Sequence, residues 1–358
     1  MAPPITTLRR TLSLLSGAIL IAFLAGCAAG TEHEEDQSAA ADIRAVSIEP
    51  HGDELVGAPV SINAEDSWDE VVGPYADFGT SLGAGEFPRI VRHALGDTEI
   101  PEQPRRVVTL DSGETEAVLA LDIVPVGIAE TPNLPETVAD LPKVGSVGEP
   151  NLEAILALEP DLILSNASRD EALYEQLSAI APTVMGIKTG APWQQNTELY
   201  AMALGREETV AEVKETYEAR SAQVRQLRGD ERPEVSFVRI RTDDLRLYQR
   251  SSFPGTVLAG AGLPRPEESN LDTNNIDLSP EQVERIDADV LFVAVDDDVA
   301  TEEVDALLDS DLWQSLGAVS AGNVHIVDAS VWYASSGYEG AHQMLTDVET
   351  ALTTYQPR

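Results

Sequence analysis

The sequence predicts an α/β protein made of two Rossmann-like lobes joined by one long α-helix, and three observations carry that expectation. Short apolar strands alternate with helical stretches through the body of the chain, which is the pattern of α/β units. Glu207 to Leu227 contains neither glycine nor proline and places Val210, Val213, Tyr217, Val224 and Leu227 at helix-compatible spacing. Such a helix spans ~30 Å at about 1.5 Å per residue and would hold two lobes at a nearly fixed separation. Finally, NLEAILALEPDLIL from Asn151 to Leu164 matches SPEQVERIDADVLF from Ser279 to Phe292, so the lobes read as variations on one unit. In each copy a helix-capping residue (Asn151, Ser279) precedes a glutamate by two places (Glu153, Glu281), and an aspartate (Asp161, Asp289) opens an apolar strand.

The chain opens with Arg9 and Arg10, an apolar run from Leu12 to Leu24, then Ala25, Gly26 and Cys27. Charged, apolar and small residues in that order form a secretion signal over residues 1–26. The run is short for a membrane span, which needs ~20 apolar residues. Leu24-Ala25-Gly26-Cys27 resembles a bacterial lipobox, which makes Cys27 the expected lipidated first residue of the mature protein. Cys27 is the only cysteine, which excludes an internal disulfide, a thiolate metal cluster and a dithiol redox pair. Residues 27–87 are rich in Ala, Glu, Asp and Gly without a sustained apolar period. They read as an acidic flexible spacer, ordered in part near Ser67 to Phe78. A formal net charge of −39 opposes binding to nucleic acid, whose phosphates it would repel.

Behind the spacer, residues 88–192 read as an N-terminal α/β lobe, 193–231 as the interlobe helical segment and 232–358 as a C-terminal α/β lobe. The first lobe has strands at Val107–Leu110, Val126–Ile128, Asp161–Ser165 and Thr183–Ile187, with helices near Thr115–Leu121, Asn151–Leu158 and Asp170–Ile180. The second has strands at Val235–Arg241, Leu245–Tyr248, Val290–Val295 and Val324–Val327. Its helices lie near Thr256–Ala261, Ser279–Ile286, Thr301–Leu308, Leu312–Val319 and Gly340–Leu352. Taken singly, Glu153 and Glu281 only complement helix dipoles, by ~0.3–1 kcal/mol each. As a pair at equivalent tips they also offer a two-point electrostatic contact to a partner.

Ligands of open α/β sheets sit beyond the carboxyl ends of strands, which points to Asp111–Glu114, Ser165–Arg169 and Ser330–Tyr333. Arg169 is either a ligand cation or a solvated residue at a helix start. Trp332 and Tyr333 lie between a strand and a helix, a poor place to bury two large rings, and are expected in a cleft. Arg239 and Arg241 alternate with Val238 and Ile240, as Arg246, Tyr248 and Arg250 do with Leu247 and Gln249. Each strand of this hairpin therefore has one apolar face and one that presents guanidinium groups and a phenol. Local pairing with Asp243 and Asp244 is the competing use of Arg241 and Arg246. Trp193, at the start of the interlobe segment, is a further cleft candidate.

RVVTLDSGETEAVLALDIVPVGI (Arg106–Ile128), NLEAILALEPDLIL, IAPTV (Ile180–Val184), SFPGTVLAGAGLPRP (Ser252–Pro266) and AVSAGNVHIVDASVWY (Ala318–Tyr333) follow one another in this chain. In order and spacing they resemble the periplasmic or surface-anchored binding proteins for ferric siderophores and vitamin B12 that serve ABC importers. The resemblance runs from about Pro88 to the C-terminus. It implies the class III solute-binding fold, with a helical backbone, limited hinge motion and a ligand cleft between the lobes. It implies that Glu153 and Glu281 dock into arginine pockets on the permease. It also implies that Arg169, twelve residues before Ala181, and the Trp332–Tyr333 pair face the ligand. The expected ligand set is Arg169, Arg241, Tyr248, Arg250, Trp332, Tyr333 and Trp193. The expected partners are a ferric siderophore, a permease dimer with its cytoplasmic ATPase, and the membrane through the lipid anchor. A monomer held on the outer face of the cell membrane, at the surface or in a periplasm, is expected.

A preassembled ferric chelate brings its own hard oxygen ligands, so neither a cofactor nor an iron ligand from the protein is required. Arginine forks hydrogen-bond the coordinated oxygens, and aromatic rings cover the apolar shell. Asp272 to Leu278 contains no histidine, and Asp296–Asp298 stands where relatives can carry a basic residue, which favours a neutral or weakly charged hydroxamate over a highly negative ligand. Cobalamin and haem are the alternatives within the same family, although the arginines lean towards an oxygen-rich chelate. A hydrolytic lipoprotein enzyme is the rival class, but the chain has no GxxxxGK or HExxH string. His33, His51, His93, His325 and His342 are scattered, which opposes a bare zinc or manganese site.

Overall fold

The computed structural model describes residues 72–131, 136–227 and 231–357, and every described element belongs to the unit Glu54–Arg358. The signal expected over residues 1–26, Cys27 and most of the spacer lie outside the described residues. From Gly73 the chain folds against the first lobe, where the Tyr75 hydroxyl accepts from the Ile187 amide at 2.8 Å.

The N-terminal lobe begins with a hairpin of β1 (Arg89–His93) and β2 (Gly96–Ile100). Its polarity is inverted: Arg89 is buried and Ile90 is 49% exposed, so the apolar alternation that marks a half-buried strand is scrambled in the sequence. Arg89 donates to the carbonyls of Glu86 and Gly83 at 2.8 and 3.0 Å and pairs with Glu207. Next comes a sheet of β3 (Val107–Thr109), β4 (Gly127–Glu130), β5 (Lys143–Ser146), β6 (Glu149–Pro150), β7 (Leu162–Asn166) and β8 (Thr183–Gly186), ordered β6-β5-β4-β3-β7-β8. All pairs are parallel except β5–β6. Between the strands run α1 (Ser112–Ala120), α2 (Leu152–Ala157), α3 (Ala167–Asp170) and α4 (Tyr174–Ser178). The single helix expected over Asp170–Ile180 is a 3-10 turn at Glu171–Leu173 followed by α4, and Asp170, which leaves helical geometry (φ −125°) with its carboxylate accepting from Ser165 Oγ at 2.5 Å, separates them from α3.

Helices α5 (Trp193–Leu204) and α6 (Glu207–Gln226) follow, separated at Gly205, whose φ of 63° suits a residue without a Cβ. The C-terminal lobe has a sheet of β9 (Val235–Ile240), β10 (Leu245–Tyr248), β11 (Asn275–Leu278), β12 (Val290–Val295) and β13 (Val324–Ile326), ordered β11-β10-β9-β12-β13. The β9–β12 and β12–β13 pairs are parallel and the hairpin pairs antiparallel. Its helices are α7 (Phe253–Gly260), α8 (Thr301–Leu308), α9 (Asp311–Gln314), α10 (Gly317–Ala321), α11 (Ala329–Trp332) and α12 (Tyr338–Thr354). The helix expected over Leu312–Val319 is two short ones, parted where Leu316 turns extended (ψ 138°). Pro280–Ile286 is a 3-10 segment with a kink at Gln282.

Strands buried on both faces read as continuous apolar runs, and here neighbouring residues go to opposite cores. Val107, Leu162 and Leu164 pack under α1 and α5, whereas Val108 and Ile163 pack with Ile155 of α2. In the second lobe Phe237 and Phe292 face α7 and α12, and Val238 and Leu291 face the other side. The sequence repeat has a matching role in each lobe. Asp161 accepts from the amides of Arg105 and Arg106 at 2.8 and 2.7 Å, and Asp289 from that of Glu234 at 2.9 Å. Each aspartate thereby pins the entry to its lobe's first sheet strand. The long helix α6 threads both cores: Val210 is buried in the first lobe, Tyr217 and Val224 in the second. Each such side chain stabilises the joint by ~1.5–3 kcal/mol on burial.

Candidate ligand cleft

Strand order in the first sheet diverges between β3 and β7, so the loops beyond their carboxyl ends part and leave a crevice. Asp111, after β3, caps α1 by accepting from the Ser112 amide at 2.7 Å, and its other oxygen takes Arg169 Nε at 3.2 Å. Arg169 follows β7 on α3, with its side chain 45% exposed against 6% for Asp111. A buried carboxylate therefore aims an accessible guanidinium. Lys188 and Thr189, beyond β8, continue this wall.

The opposite wall comes from the second lobe: Tyr248 at the end of β10, Phe253 and Pro254 at the start of α7, and Tyr333 after α11. Between the walls lies a cavity of about 370 Å³. The Tyr333 ring rests on the Arg239 guanidinium, 3.6 Å from its centroid, and Asp296 holds that guanidinium through two hydrogen bonds, one of 2.7 Å from Nη2. Burial pushes the phenols of Tyr248 and Tyr333 up, so both are neutral donors at neutral pH. Arg239, absent from the expected ligand set, stands behind the cavity and positions Tyr333 without lining it. Strand alternation marks its charge, but the ring stacked on it is distant in sequence.

The structure brings Arg169, Tyr248 and Tyr333 together, and places the other expected ligand residues elsewhere. Trp332 is wholly buried: the expected loop is α11, whose last residue turns inward, where its ring packs on Phe292 and its Nε1 donates to Asp347 at 2.8 Å. Trp193 is 1% exposed, edge-on to Tyr217, Phe253 and Tyr338, with Nε1 donating to Thr256 at 3.1 Å. It lines a second cavity of about 530 Å³ together with Arg250, which pairs with Asp272 at 2.8 Å. Arg241 lies at the β9–β10 turn, 3.4 Å from Asp244 and 3.6 Å from Asp277, and lines a different hollow with Glu281. Arg246 pairs across strands with Asp277 at 2.8 Å. Glu153 and Glu281 are both exposed in the first turns of their helices. Hydrogen bonds from its own backbone amide and the Ser279 hydroxyl hold the Glu281 carboxyl below the usual range.

Beneath the cleft two carboxylates join the lobes and the floor. Glu116 of α1 accepts from Ser335 Oγ at 2.6 Å and the Ser336 amide at 3.3 Å, across to the loop after Tyr333. A Cβ at Gly337 would come within 2.7 Å of Glu116, so glycine lets the loop close on α1. Glu114 accepts from Asn166 Nδ2 at 3.1 Å and the Tyr200 hydroxyl at 2.8 Å. Burial lifts both carboxyls to about 7, with the Asp111 charge adding to the effect at Glu114.

Gly79–Gly83 reads GTSLG and fits the letters of a nucleophile elbow, but Ser81 lies in an exposed bend before β1 and not at the strand-to-helix turn that chemistry needs. Among the described residues no three His, Cys, Asp or Glu side chains are placed to hold a metal ion, and no helix is long and apolar enough to cross a membrane.

Residues 107–331 match the family described as periplasmic binding protein. Over 283 residues the chain is 37% identical to the probable siderophore-binding lipoprotein YfiY of Bacillus subtilis, covering 73% of this chain and 87% of that protein. It is 30% identical to the Fe(3+)-citrate-binding protein YfmC of the same organism, covering 75% and 88%. Among solved structures, Staphylococcus aureus SirA complexed with staphyloferrin B superposes with a TM-score of 0.68 at 30% identity, over 74% of this chain and 98% of SirA.

Proposed function

Because this chain belongs to the periplasmic binding protein family, a family of carriers and not of enzymes, we propose that it captures a ferric siderophore between its lobes and delivers it to an ABC importer. The observation that carries this reading is the cavity walled by Arg169 and Lys188 on one lobe and by Tyr248 and Tyr333 on the other. Cations there meet the coordinated oxygens of a chelate, neutral phenols donate to its rim, and the Tyr333 face covers its apolar shell. The relatives named above for a siderophore, for Fe(3+)-citrate and for staphyloferrin B support the same reading.

The finer choice of chelate is a hydroxamate, since Asp111 and Asp296 offset much of the positive charge of Arg169 and Arg239. A carboxylate chelate of the ferric citrate kind is the second reading, favoured by the two cations on one wall and by the similarity to YfmC. Tryptophan-fluorescence titration of the purified protein separates these. Saturable quenching by a ferric hydroxamate at micromolar concentration or below is expected, with ferric citrate, ferric catecholate, cobalamin and haem as competitors. Tighter binding of citrate selects the second reading, and response to cobalamin or haem alone overturns both.

The family places the protein outside the cytoplasm. We propose that Cys27 anchors it to the outer face of the membrane, which fatty-acid labelling of the protein and its loss in Cys27→Ser would check.

A further inference from the structure

The two tips that carry Glu153 and Glu281 are built differently. On α2, Leu156 stands three residues after Glu153, on the same helical face, and is 59% exposed. Beside Glu281 there is instead an open hollow of about 410 Å³ at the β9–β10 turn, floored by Ile240, Leu245, Val299 and Leu307. Ile240 and Leu245 belong to the lobe's core, and Val299 and Leu307 pack against it, so the floor is made of side chains held in place by core packing. Leu312, 46% exposed, lines it as well. The rim is acidic: Asp243, Glu281 and Glu303 are exposed there, and Arg241 is engaged between Asp244 and Asp277.

An apolar floor inside a carboxylate rim is complementary to an apolar side chain flanked by a basic one. We propose that this hollow seats such a side chain from the outer surface of the importer's membrane subunit, so that the C-terminal lobe is anchored by burial as well as by charge. This rests on the reading of Glu281 as a docking carboxylate. The anchor then resembles a knob entering a hole, whereas at the other tip Leu156 is itself the knob.

The test is uptake of radioactive iron, supplied as the ferric chelate selected by the titration above, in cells whose own copy is replaced by full-length variants. Ala306→Trp on α8 plugs the hollow from its rim, and Glu303→Lys reverses rim charge; each is expected to lower uptake about tenfold. Chelate affinity and melting temperature of the purified variants should stay at wild-type values, which separates docking from folding. Normal uptake with both variants, beside impaired uptake in Glu281→Ala, overturns the hollow and leaves the docking reading standing. Normal uptake in all three overturns the docking reading and the hollow with it. Loss with Ala306→Trp but not with Glu303→Lys retains the apolar seat and overturns its basic flank.

Discussion

The two walls of the cleft share an architecture and differ in how they hold charge. On the N-terminal side Asp111, Glu114 and Asp170 are buried around one accessible arginine, Arg169, and one oxygen each of Glu114 and Asp170 lacks a hydrogen-bond partner. On the C-terminal side the arginine behind the wall, Arg239, is paired with Asp296, and the arginines farther out are paired as well: Arg250 with Asp272, and Arg241 and Arg246 sharing Asp277. Burial lifts the carboxyls of Glu114 and Glu116 to about 7 and raises that of Asp170 above its usual range, whereas a guanidinium keeps its charge. The N-terminal side therefore changes its charge near neutral pH through Glu114 and Glu116, and the paired arginines of the C-terminal side do not.

The largest effect that would break this contrast lies in ligand affinity. Arg239→Ala removes the support under Tyr333 and leaves Asp296 unpaired, and Arg169→Ala removes the accessible cation. Each should weaken chelate binding by about 1.5–3 kcal/mol, roughly tenfold to hundredfold, as expected for charge-assisted hydrogen bonds. Arg241→Ala, away from the cleft, should leave affinity within about twofold. Equal losses in all three, measured by fluorescence titration, would erase the distinction between cleft and turn.

A smaller effect sharpens it. With carboxyls lifted from the ordinary 4.5 to about 7, the folded protein keeps protons that the unfolded chain loses between those values. Stability therefore falls as pH rises through that window, and the deficit is complete above about 7, on the order of 3 kcal/mol for each group. Glu114→Gln and Glu116→Gln should flatten the melting temperature between pH 4.5 and 8, while Arg246→Ala should leave its slope unchanged. A wild-type slope in the Gln variants would show that the N-terminal wall is not the titrating one. Buried His93, held at about 4 by its burial, works in the other direction: its contribution is lost as pH falls from its ordinary 6.5 towards 4.

Periodicity made most of the frame legible in the sequence, because strands buried on both faces and a helix without glycine or proline leave strong patterns. The hairpin β1–β2 was not legible, since Arg89 points in and Ile90 points out. In the site, the loops beyond β3 and β7 followed from the rule that ligands sit beyond the carboxyl ends of strands, and the resemblance singled out Arg169. Tyr248 and Tyr333 were reached through alternation and resemblance. What could not be read was which member of an adjacent pair turns inward: Trp332 and Tyr333 are neighbours with similar rings, and only the short helix α11 sends one to the core and the other to the cleft. Nor could strand alternation tell Arg239 from Arg241, because both point to the same face and differ in what lies across from them.

Helix α6 places Val210 in one core and Tyr217 and Val224 in the other, seven residues apart along the helix. A single inserted residue would rotate one lobe about its axis by ~100° relative to the other, and the two walls would no longer face each other. Wall residues can be exchanged one at a time to suit a new chelate, but the count of residues in this connection is a phase that both halves must share, and it is the least negotiable number in the molecule.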